Sequence, residues 1–271
     1  MIKLTDVSFT FSGAESEALR RLNLDYASGE FALVAGPTGS GKSTFLKLLI
    51  GLAPHFTGGR ISGSIQIDGR EFAGGQPHDF ASRVGFVNQQ PEGSFVSDTV
   101  REELAFGMEQ LGIAPETMLD RIKYVANILN LDHLLDSNLE SLSGGEQQRV
   151  AIGAAIAGGQ QILILDEPTS ALDTASAASL VSLLRKLTAQ GITVIMAEHR
   201  IERLLGVVDS LTVVHGDGTA SKVRATNGFD QILRNNRMVP PVVELGQKLG
   251  WEPLPLSVSQ AAARWQEKPG Q

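Results

Sequence analysis

The stretch that decides the fold is residues 31–44, FALVAGPTGSGKST, in which a short apolar run leads into a glycine-rich loop and then into a helical pattern. The loop matches G-x-x-x-x-G-K-[ST], with Gly36, Gly41, Lys42 and Ser43 at the fixed positions. Glycines let backbone N–H groups turn toward one point, and the positive end of the following helix points there too. Lys42 can reach the outer phosphates, and the Ser43 hydroxyl can hold Mg²⁺. The order of strand, loop and helix favours a nucleotide-phosphate site over a merely structural turn.

The composition fits one large domain, or one domain with an appendage, because 42% of the 271 residues are hydrophobic. The 23 basic and 30 acidic residues leave a net charge of −7 without a strongly basic run, so the charge does not favour a nucleic-acid partner. The absence of cysteine excludes disulfides and fits a reducing compartment. The N-terminal MIKLTDVSF lacks the apolar core of a signal peptide, and no apolar run approaches the ~18 residues of a membrane-spanning helix. We therefore expect a protein that is soluble by itself and reaches a membrane only through a partner.

Hydrophobic periodicity along the chain predicts strands that alternate with helices, the pattern of a doubly wound, mostly parallel α/β sheet. The predicted strands cover residues 2–9, 19–26, 31–35, 64–67, 83–88, 161–165, 192–197 and 207–214. The predicted helices run from residue 42 to near Pro54, from about residue 98 with Ser97, Asp98 or Thr99 as the cap, over residues 116–130, from Ser143 through Ala157, and over residues 174–189. The section from about residue 90 to residue 158 is largely helical and interrupts the strand pattern.

The character of the sequence changes after about residue 227, where prolines separate short helical pieces. Val242, Leu245 and Leu249 fit one face of a helix, and residues 257–260 (SVSQ) can cap a last short helix. The pattern predicts a small appended element and not a second full domain.

Two carboxylates follow the buried strand in the run ILILDE at residues 162–167. At the end of a strand beside a phosphate loop, Asp166 can hold Mg²⁺ directly or through water. Glu167 can then orient and polarise a water molecule for attack on the terminal phosphate. The alternative, a strand that ends in two solvated acids, is disfavoured by the phosphate loop elsewhere in the chain.

Four features together resemble the ATP-binding cassette (ABC) ATPases over about residues 2–215. They are the phosphate loop, LSGGEQQR at residues 142–149, ILILDEPTSALD at residues 162–173, and the histidine after the next strand, His199. The resemblance implies an α/β, P-loop ABC ATPase fold with a mostly parallel core sheet, an N-terminal antiparallel β part, a helical subdomain and a short C-terminal appendage. It assigns residues 1–225 to the ATPase domain, which includes the helical subdomain, and residues 226–271 to a helical appendage that takes part in dimerisation.

The resemblance also assigns the residues that bind ATP. The phosphate-loop members of this set are Gly36, Pro37, Thr38, Gly39, Ser40, Gly41, Lys42, Ser43 and Thr44. Phe11 falls where an aromatic ring, more often a tyrosine, stacks on adenine. Ser143, Gly144 and Gly145 match the signature that caps ATP bound by the other subunit, and Asp173 ends the loop that communicates across the dimer.

The catalytic roles fall by position on Lys42, Gln89, Glu167 and His199. Glu167 matches the catalytic base and His199 the switch histidine that contacts the γ-phosphate; the alternative for His199 is an ordinary exposed histidine. Gln89, which we prefer to Gln90, matches the glutamine that touches magnesium and water and senses the membrane partner. The implied Mg²⁺ site therefore contains Ser43, Gln89 and Asp166, and the implied cofactors are ATP and Mg²⁺.

Looser similarities point to the ATPase of energy-coupling factor (ECF) importers and the related cobalt and nickel uptake systems. They lie in residues 52–62, 88–112, 198–200 and 240–258, although Glu92-Gly93-Ser94 stands where that group frequently has an asparagine–glutamine pair. This resemblance implies a second ABC ATPase subunit, identical or different, a transmembrane scaffold protein and a small membrane substrate-binding protein as partners, and no nucleic acid. It places the chain peripherally at the cytoplasmic face of the cell membrane, in the import of a vitamin, such as a thiamine precursor, or of a transition-metal ion.

Three other functions are open to this family. A soluble ABC ATPase acting on ribosomes or DNA is disfavoured by the single cassette and by the lack of long heptad runs and basic patches. An exporter ATPase is disfavoured by the ECF-like stretches. A regulatory switch with negligible turnover is disfavoured by the intact Glu167 and His199.

Overall fold

The computed structural model describes residues 2–72, 75–229, 232–233 and 240–267, and two β-sheets organise this part of the chain. The strands are β1 (Ile2–Thr10), β2 (Leu19–Tyr26), β3 (Phe31–Ala35), β4 (Arg60–Ile67), β5 (Arg70–Glu71), β6 (Val84–Val87), β7 (Ile162–Asp166), β8 (Thr193–Ala197), β9 (Ser210–Val214) and β10 (Ala220–Arg224). The helices are α1 (Lys42–Leu49), α2 (Leu52–His55), α3 (Pro77–Ala81), α4 (Val100–Gln110), α5 (Pro115–Leu129), α6 (Gly144–Ala157), α7 (Thr174–Ala189), α8 (Pro241–Lys248) and α9 (Val258–Glu267).

The core sheet has the strand order β10-β9-β3-β8-β7-β6 and is parallel except between β9 and β10. Strands β3 and β8 are buried at every position, as strands of a parallel sheet covered on both faces should be. In the ladder, Ala197 of β8 pairs with Val34 on one side and with Asp166 on the other. The register therefore brings the phosphate loop, the two carboxylates and the histidine segment to one edge of the sheet.

The N-terminal sheet is antiparallel, with the order β2-β1-β4-β5. It packs over α1 and one face of the core sheet, with Phe9, Leu22, Phe45 and Ile164 in the same buried cluster. Strand β4 begins four residues earlier than predicted because Gly63 accommodates a register shift opposite β1. Gly63 has φ +87°, and a Cβ on it would lie 2.4 Å from the carbonyl oxygen of Asp6.

A buried polar cluster joins the two sheets. The Glu30 carboxylate accepts hydrogen bonds from the Ala27 N–H at 2.7 Å and from the Ser210 hydroxyl, and it lies 2.6 Å from Nζ of Lys222 in β10. Beside it, burial raises the pKa of Tyr26, whose hydroxyl lies 3.0 Å from that of Thr212. These contacts dock β2 and the turn after it onto the core-sheet edge that includes β10.

The predicted helical section corresponds to α4, α5 and α6, which pack side by side. Thr99 is the cap of α4, since its hydroxyl accepts from the Glu102 N–H and the Glu102 carboxylate bonds back to the Thr99 N–H. Gly153 of α6 lets the helices approach closely, because a Cβ there would lie 2.7 Å from Leu104 of α4 and 3.0 Å from Leu129 of α5.

Besides the start of β4, two further predictions are wrong. The helix from residue 42 ends at Leu49 and not near Pro54, because Gly51 turns the chain with φ +71°. The last predicted strand, residues 207–214, corresponds to β9, which begins only at Ser210. A further strand, β10, follows it and was not predicted. Strand β10 has no fully buried position, so its sequence lacks the apolar signal of the other core strands.

The tail packs on the main core, and its predicted apolar face is buried only in part, since Val242 packs against the core. Val243 is buried in the same cluster as the core-sheet residues, whereas Leu245 and Leu249 are 43% and 40% exposed. The predicted cap of α9 is confirmed, because the Gln260 N–H donates to the Ser257 hydroxyl at 3.2 Å. Residues 230, 231, 234–239 and 268–271 of the predicted appendage lie outside the described residues.

Candidate functional site

The phosphate loop connects the buried strand β3 to α1 and has the backbone that its glycines allow. Gly39 and Gly41 have φ of 79° and 101°, and nothing lies within 4 Å of a Cβ built on Gly39. A Cβ on Gly36 would lie 2.3 Å from a carbonyl oxygen of β9. The loop can therefore bring its N–H groups close to a bound anion, which side chains at these positions would prevent.

Lys42 supplies the positive charge of the loop. Its Nζ donates to the carbonyl oxygens of Gly36 at 3.0 Å and Pro37 at 3.2 Å. Burial lowers the pKa of Lys42, and the nearby carboxylates of Glu167 and Asp166 partly offset this effect. Phosphate groups would replace the weak carbonyl partners with full negative charges.

Asp166 and Ser40 fit a site that is completed by Mg²⁺ and phosphate. Within the described part of the chain, Oδ1 of Asp166 and Oγ of Ser40 are buried without a hydrogen-bond partner. Buried polar atoms are normally paired, and a carboxylate oxygen is a ligand that Mg²⁺ prefers. No group of three or more His, Cys, Asp or Glu that could hold a metal occurs among the residues that the structure describes.

Glu167 contacts two of the other residues that were predicted to be catalytic. Its Oε1 lies 2.7 Å from Nε2 of His199, and its Oε2 accepts from Nε2 of Gln89 at 3.3 Å. The residue has φ +50°, an uncommon conformation for a side chain of this size, and its N–H is held by the carbonyl oxygen of Ala197 at 3.0 Å. The preference for Gln89 over Gln90 agrees with this contact.

The phosphate loop, Glu167 and His199 share one cleft of about 250 Å³. Its lining contains Thr38, Gly39, Gly41, Lys42, Ser43, Thr44, Glu167 and His199. The structure therefore brings together residues from the ends of β3, β7 and β8 that are up to 161 positions apart in the sequence, counted from Thr38 to His199.

The other predicted ATP ligands lie outside this cleft. Phe11 is 36% exposed and packs edge to face on Phe9 at 4.9 Å. Ser143 caps α6 in a capping box with Glu146. Asp173 caps α7, accepting from the Ala175 N–H at 2.8 Å, and its bonds to Ser176 hold its pKa below the usual range. The structure thus gives Ser143 and Asp173 local capping roles in this chain.

Glu198 is a site residue whose role the sequence analysis missed. It is 3% exposed, and its Oε1 accepts from both the N–H of Thr169, at 3.0 Å, and the Thr169 hydroxyl. Its Oε2 accepts from the His199 N–H at 3.1 Å. The carboxylate therefore ties the segment after Glu167 to the segment that carries His199. An acidic residue directly after a buried strand was the available signal.

A separate apolar groove of about 580 Å³ runs between α4 and α5. Val96, Phe106 and Leu119 on its walls are 61%, 41% and 53% exposed. Exposed apolar side chains clustered around a groove are typical of a protein contact surface. Among the described residues, no helix has the length and apolar content needed to cross a bilayer.

The chain is similar to known proteins over most of its length. The family model described as ABC transporter matches residues 19–170. A putative ABC transporter ATP-binding protein of Streptomyces avermitilis is 42% identical over 265 residues, which are 97% of this chain and 47% of that protein. A protein of the same description from Pyrococcus abyssi is 34% identical and is covered to 90%. The chain thus spans about half the length of the Streptomyces relative and most of the Pyrococcus one.

Solved structures share the fold. CbiO1 from Clostridium perfringens, part of the ABC transporter complex CbiONQ, superposes with a TM-score of 0.77 at 24% identity and covers 92% of this chain and 98% of its own. A dimeric ATP-binding cassette in a post-hydrolysis state, bound to ADP and Pi, gives 0.69 at 28% identity and covers 83% and 98%. The predicted fold class and the prediction of an ATP-binding protein are confirmed, and the chain belongs to the ABC transporter family.

Proposed function

We propose that this chain hydrolyses ATP and drives transport as the ATPase subunit of an ECF-type importer for a vitamin, such as a thiamine precursor, or a transition-metal ion. The observation that carries the ATPase part is the contact of Glu167 with both His199 and Gln89 at the edge of the Lys42 cleft. A nucleotide-binding module without turnover would not need a carboxylate held in this way.

In the proposed reaction, the loop residues 36–44 and Lys42 bind the phosphates of ATP and orient the terminal one. Ser43 and Asp166, with Gln89, would hold Mg²⁺, which neutralises charge on the outer phosphates. Glu167 accepts a proton from the attacking water as the water oxygen bonds to the γ-phosphorus. The bond from that phosphorus to the bridging oxygen then breaks, and ADP and phosphate leave.

The contacts around Glu167 serve this step. A base must point at one water molecule, and the 2.7 Å contact to His199 limits the freedom of the carboxylate. His199 can in turn donate to the γ-phosphate, as its matched role implies. Glu198 joins the two segments through its hydrogen bonds to Thr169 and to the His199 N–H.

A second cassette completes the site in this proposal. The cleft covers one side of a nucleotide, and the N-terminus of α6 at residues 143–145 is positioned to offer N–H groups and a positive helix end to another subunit. Phe11 stacks on adenine, and Asp173 contributes to the loop across the dimer. The segment 226–271 is proposed as an appendage to the ATPase domain of residues 1–225 that helps to hold the two cassettes together.

The membrane partner is proposed to be a transmembrane scaffold protein, with a small membrane protein that binds the substrate. A segment of the scaffold protein would enter the groove between α4 and α5, since Phe106 and Leu119 offer an apolar surface there. The ECF assignment is supported by the ECF-like stretches of the sequence; the likeness to CbiO1, at 24% identity, concerns the fold alone. This places the chain peripherally at the cytoplasmic face of the membrane.

The test is mass spectrometry of proteins that co-purify with the chain from detergent-solubilised membranes of its own cells. Co-purification of a multi-spanning scaffold and a small membrane protein is expected, and the small protein indicates the substrate. Recovery of ribosomal or DNA-repair proteins without membrane proteins would overturn the importer proposal in favour of a soluble ABC ATPase.

A matched pair of variants sharpens this test. Phe106→Glu should lower recovery of the scaffold at least about tenfold, because it buries a charge in an apolar contact, and leave ATP hydrolysis unchanged. Tyr124→Glu, on the exposed surface of α5 outside the groove, should retain the scaffold. Equal recovery with both variants would exclude this groove as the docking surface.

A further inference from the structure

A second pocket lies behind the catalytic segments, between α7 and the residues that follow His199. It measures about 470 Å³, within the range of small-molecule sites in proteins. Ala177 and Val181 of α7 form one apolar wall, and Leu204 and Val207 form the other. No residue lines both this pocket and the ATP cleft, although Arg200 of the pocket directly follows His199 of the cleft in the sequence.

Three arginines surround this apolar lining, and they differ in what they contact. Arg185 lies 2.7 Å from Asp209, which raises the pKa of the guanidinium. Arg203 has its Nη1 buried, and that nitrogen has no hydrogen-bond partner in the described part of the chain. Arg200 makes no ion pair with any of the residues that the structure describes. The pocket therefore contains two cations that the described chain itself does not neutralise.

Nη1 of Arg203 is itself buried, so an anion in the pocket would be met by the part of the guanidinium that lines the pocket. Buried polar groups are nearly always hydrogen-bonded, and a guanidinium donates in a planar fork that suits carboxylate, sulfonate or phosphate oxygens. The apolar walls would at the same time cover a hydrocarbon or aromatic group.

We propose that this pocket binds a small amphipathic anion, with an apolar body between α7 and residues 204–207 and an acidic group at Arg203 and Arg200. The proposal goes beyond ATP hydrolysis and does not depend on it, because binding can be measured without turnover.

The position of the pocket makes it a regulatory site. Thr169 lines it and is bonded to Glu198, which also holds the His199 N–H. Arg200 directly follows His199. A ligand that binds Arg200 or occupies the space beside Thr169 therefore contacts both segments that position the Glu167–His199 pair. Its binding is expected to change the rate of ATP hydrolysis.

The probe is 8-anilinonaphthalene-1-sulfonate, an aromatic anion, titrated by fluorescence into the purified chain with ADP in saturating excess to block the ATP cleft. One saturable site is expected. Arg203→Gln should weaken binding about tenfold, the loss typical of one charge-assisted hydrogen bond. N-phenyl-1-naphthylamine, which has the same rings without the sulfonate, should bind wild type and the Arg203→Gln variant equally weakly.

Two further variants protect the test from effects on folding. Ala178→Trp places a bulky side chain at an exposed position of the lining and should abolish the saturable binding while keeping the melting temperature. Arg20→Gln removes an exposed arginine of β2 that pairs with Glu17 and does not line the pocket, and this variant should bind as wild type does. Binding of the sulfonate that is unchanged in both Arg203→Gln and Ala178→Trp would overturn the proposal.

Discussion

Nε2 of His199 lies 2.7 Å from Oε1 of Glu167, although the two residues follow different strands of the core sheet. The contact exists because β7 and β8 are parallel neighbours, so their carboxyl ends lie side by side. Gln89, which follows β6 on the other side of β7, reaches the second oxygen of the same carboxylate. Three sequence segments thus converge on one group that can accept a proton.

Replacing Glu167 with glutamine should abolish turnover and trap an ATP-bound dimer. The amide cannot accept the proton of the attacking water, and loss of a general base typically costs 10²–10⁴-fold in rate. Phosphate release measures the rate, and size-exclusion chromatography with ATP measures dimerisation. A folded Glu167→Gln protein that stays monomeric at saturating ATP would contradict the proposed dimer.

Glu198→Gln should lower kcat for ATP hydrolysis about tenfold and leave KM for ATP within about twofold. The amide nitrogen of the new side chain cannot accept a bond, so either Thr169 or His199 loses its acceptor, and the pair that it positions becomes less ordered. Steady-state kinetics on the purified chain measure both constants.

The control for this prediction is Glu202→Gln, a charge-matched change in the turn that follows the same segment. The Thr169→Val and Glu198→Gln effects should also be less than additive, because the two residues share bonds. A fall in melting temperature that accounts for the whole loss of activity, or additive effects, would show that Glu198 does not position the pair.

Affinity for ATP should fall as pH rises through the pKa of Lys42, and the fall should begin at lower pH than an ordinary lysine would give. Burial lowers the pKa of Lys42 in the free protein, and bound phosphates favour its charged form, so binding takes up a proton once the free side chain is neutral. Below that pKa, affinity should not depend on this group.

Calorimetric titration of ATP between about pH 7 and pH 10, in buffers of different ionisation enthalpy, measures this proton uptake. Lys42→Arg is the matched control, because arginine stays protonated over the whole range and should remove the pH dependence. Identical proton uptake in the Lys42→Arg variant would assign the effect to another group.

Lys222→Met should destabilise the protein by about 3 kcal/mol, because it leaves the Glu30 carboxylate buried and without its cation. Adding Glu30→Gln should recover part of the loss, since the unpaired charge is then removed. Urea unfolding at constant m-value measures the difference.

An exposed ion pair on the same strand provides the control. Arg224 and Asp25 lie 3.1 Å apart, but more than half of each side chain is exposed to solvent, so Arg224→Ala should cost about 0.5 kcal/mol or less. Similar losses of unfolding free energy for Lys222→Met and Arg224→Ala would mean that burial does not make the Glu30–Lys222 pair more important for stability than an exposed pair.

What the sequence by itself determined about this protein is local. The phosphate loop, the capping box at Ser143 and the helix of residues 174–189 depend on residues within a few positions of one another, and each was predicted with its correct bounds or close to them. The core strands β3, β7 and β8 were predictable because burial on both faces requires a continuous apolar run.

Only the tertiary structure decided which distant segments meet. Strand β10 was missed because its identity as a strand depends on pairing with β9. The buried side of α8 was misassigned in part, because the surface on which the helix packs buries Val243. The role of Glu198 depends on its hydrogen bonds to Thr169, which is distant in the sequence, and to the N–H of His199. Hydrophobic period and loop motifs report the environment of a residue along its own segment, whereas these contacts are set by the order and register of strands in the sheet.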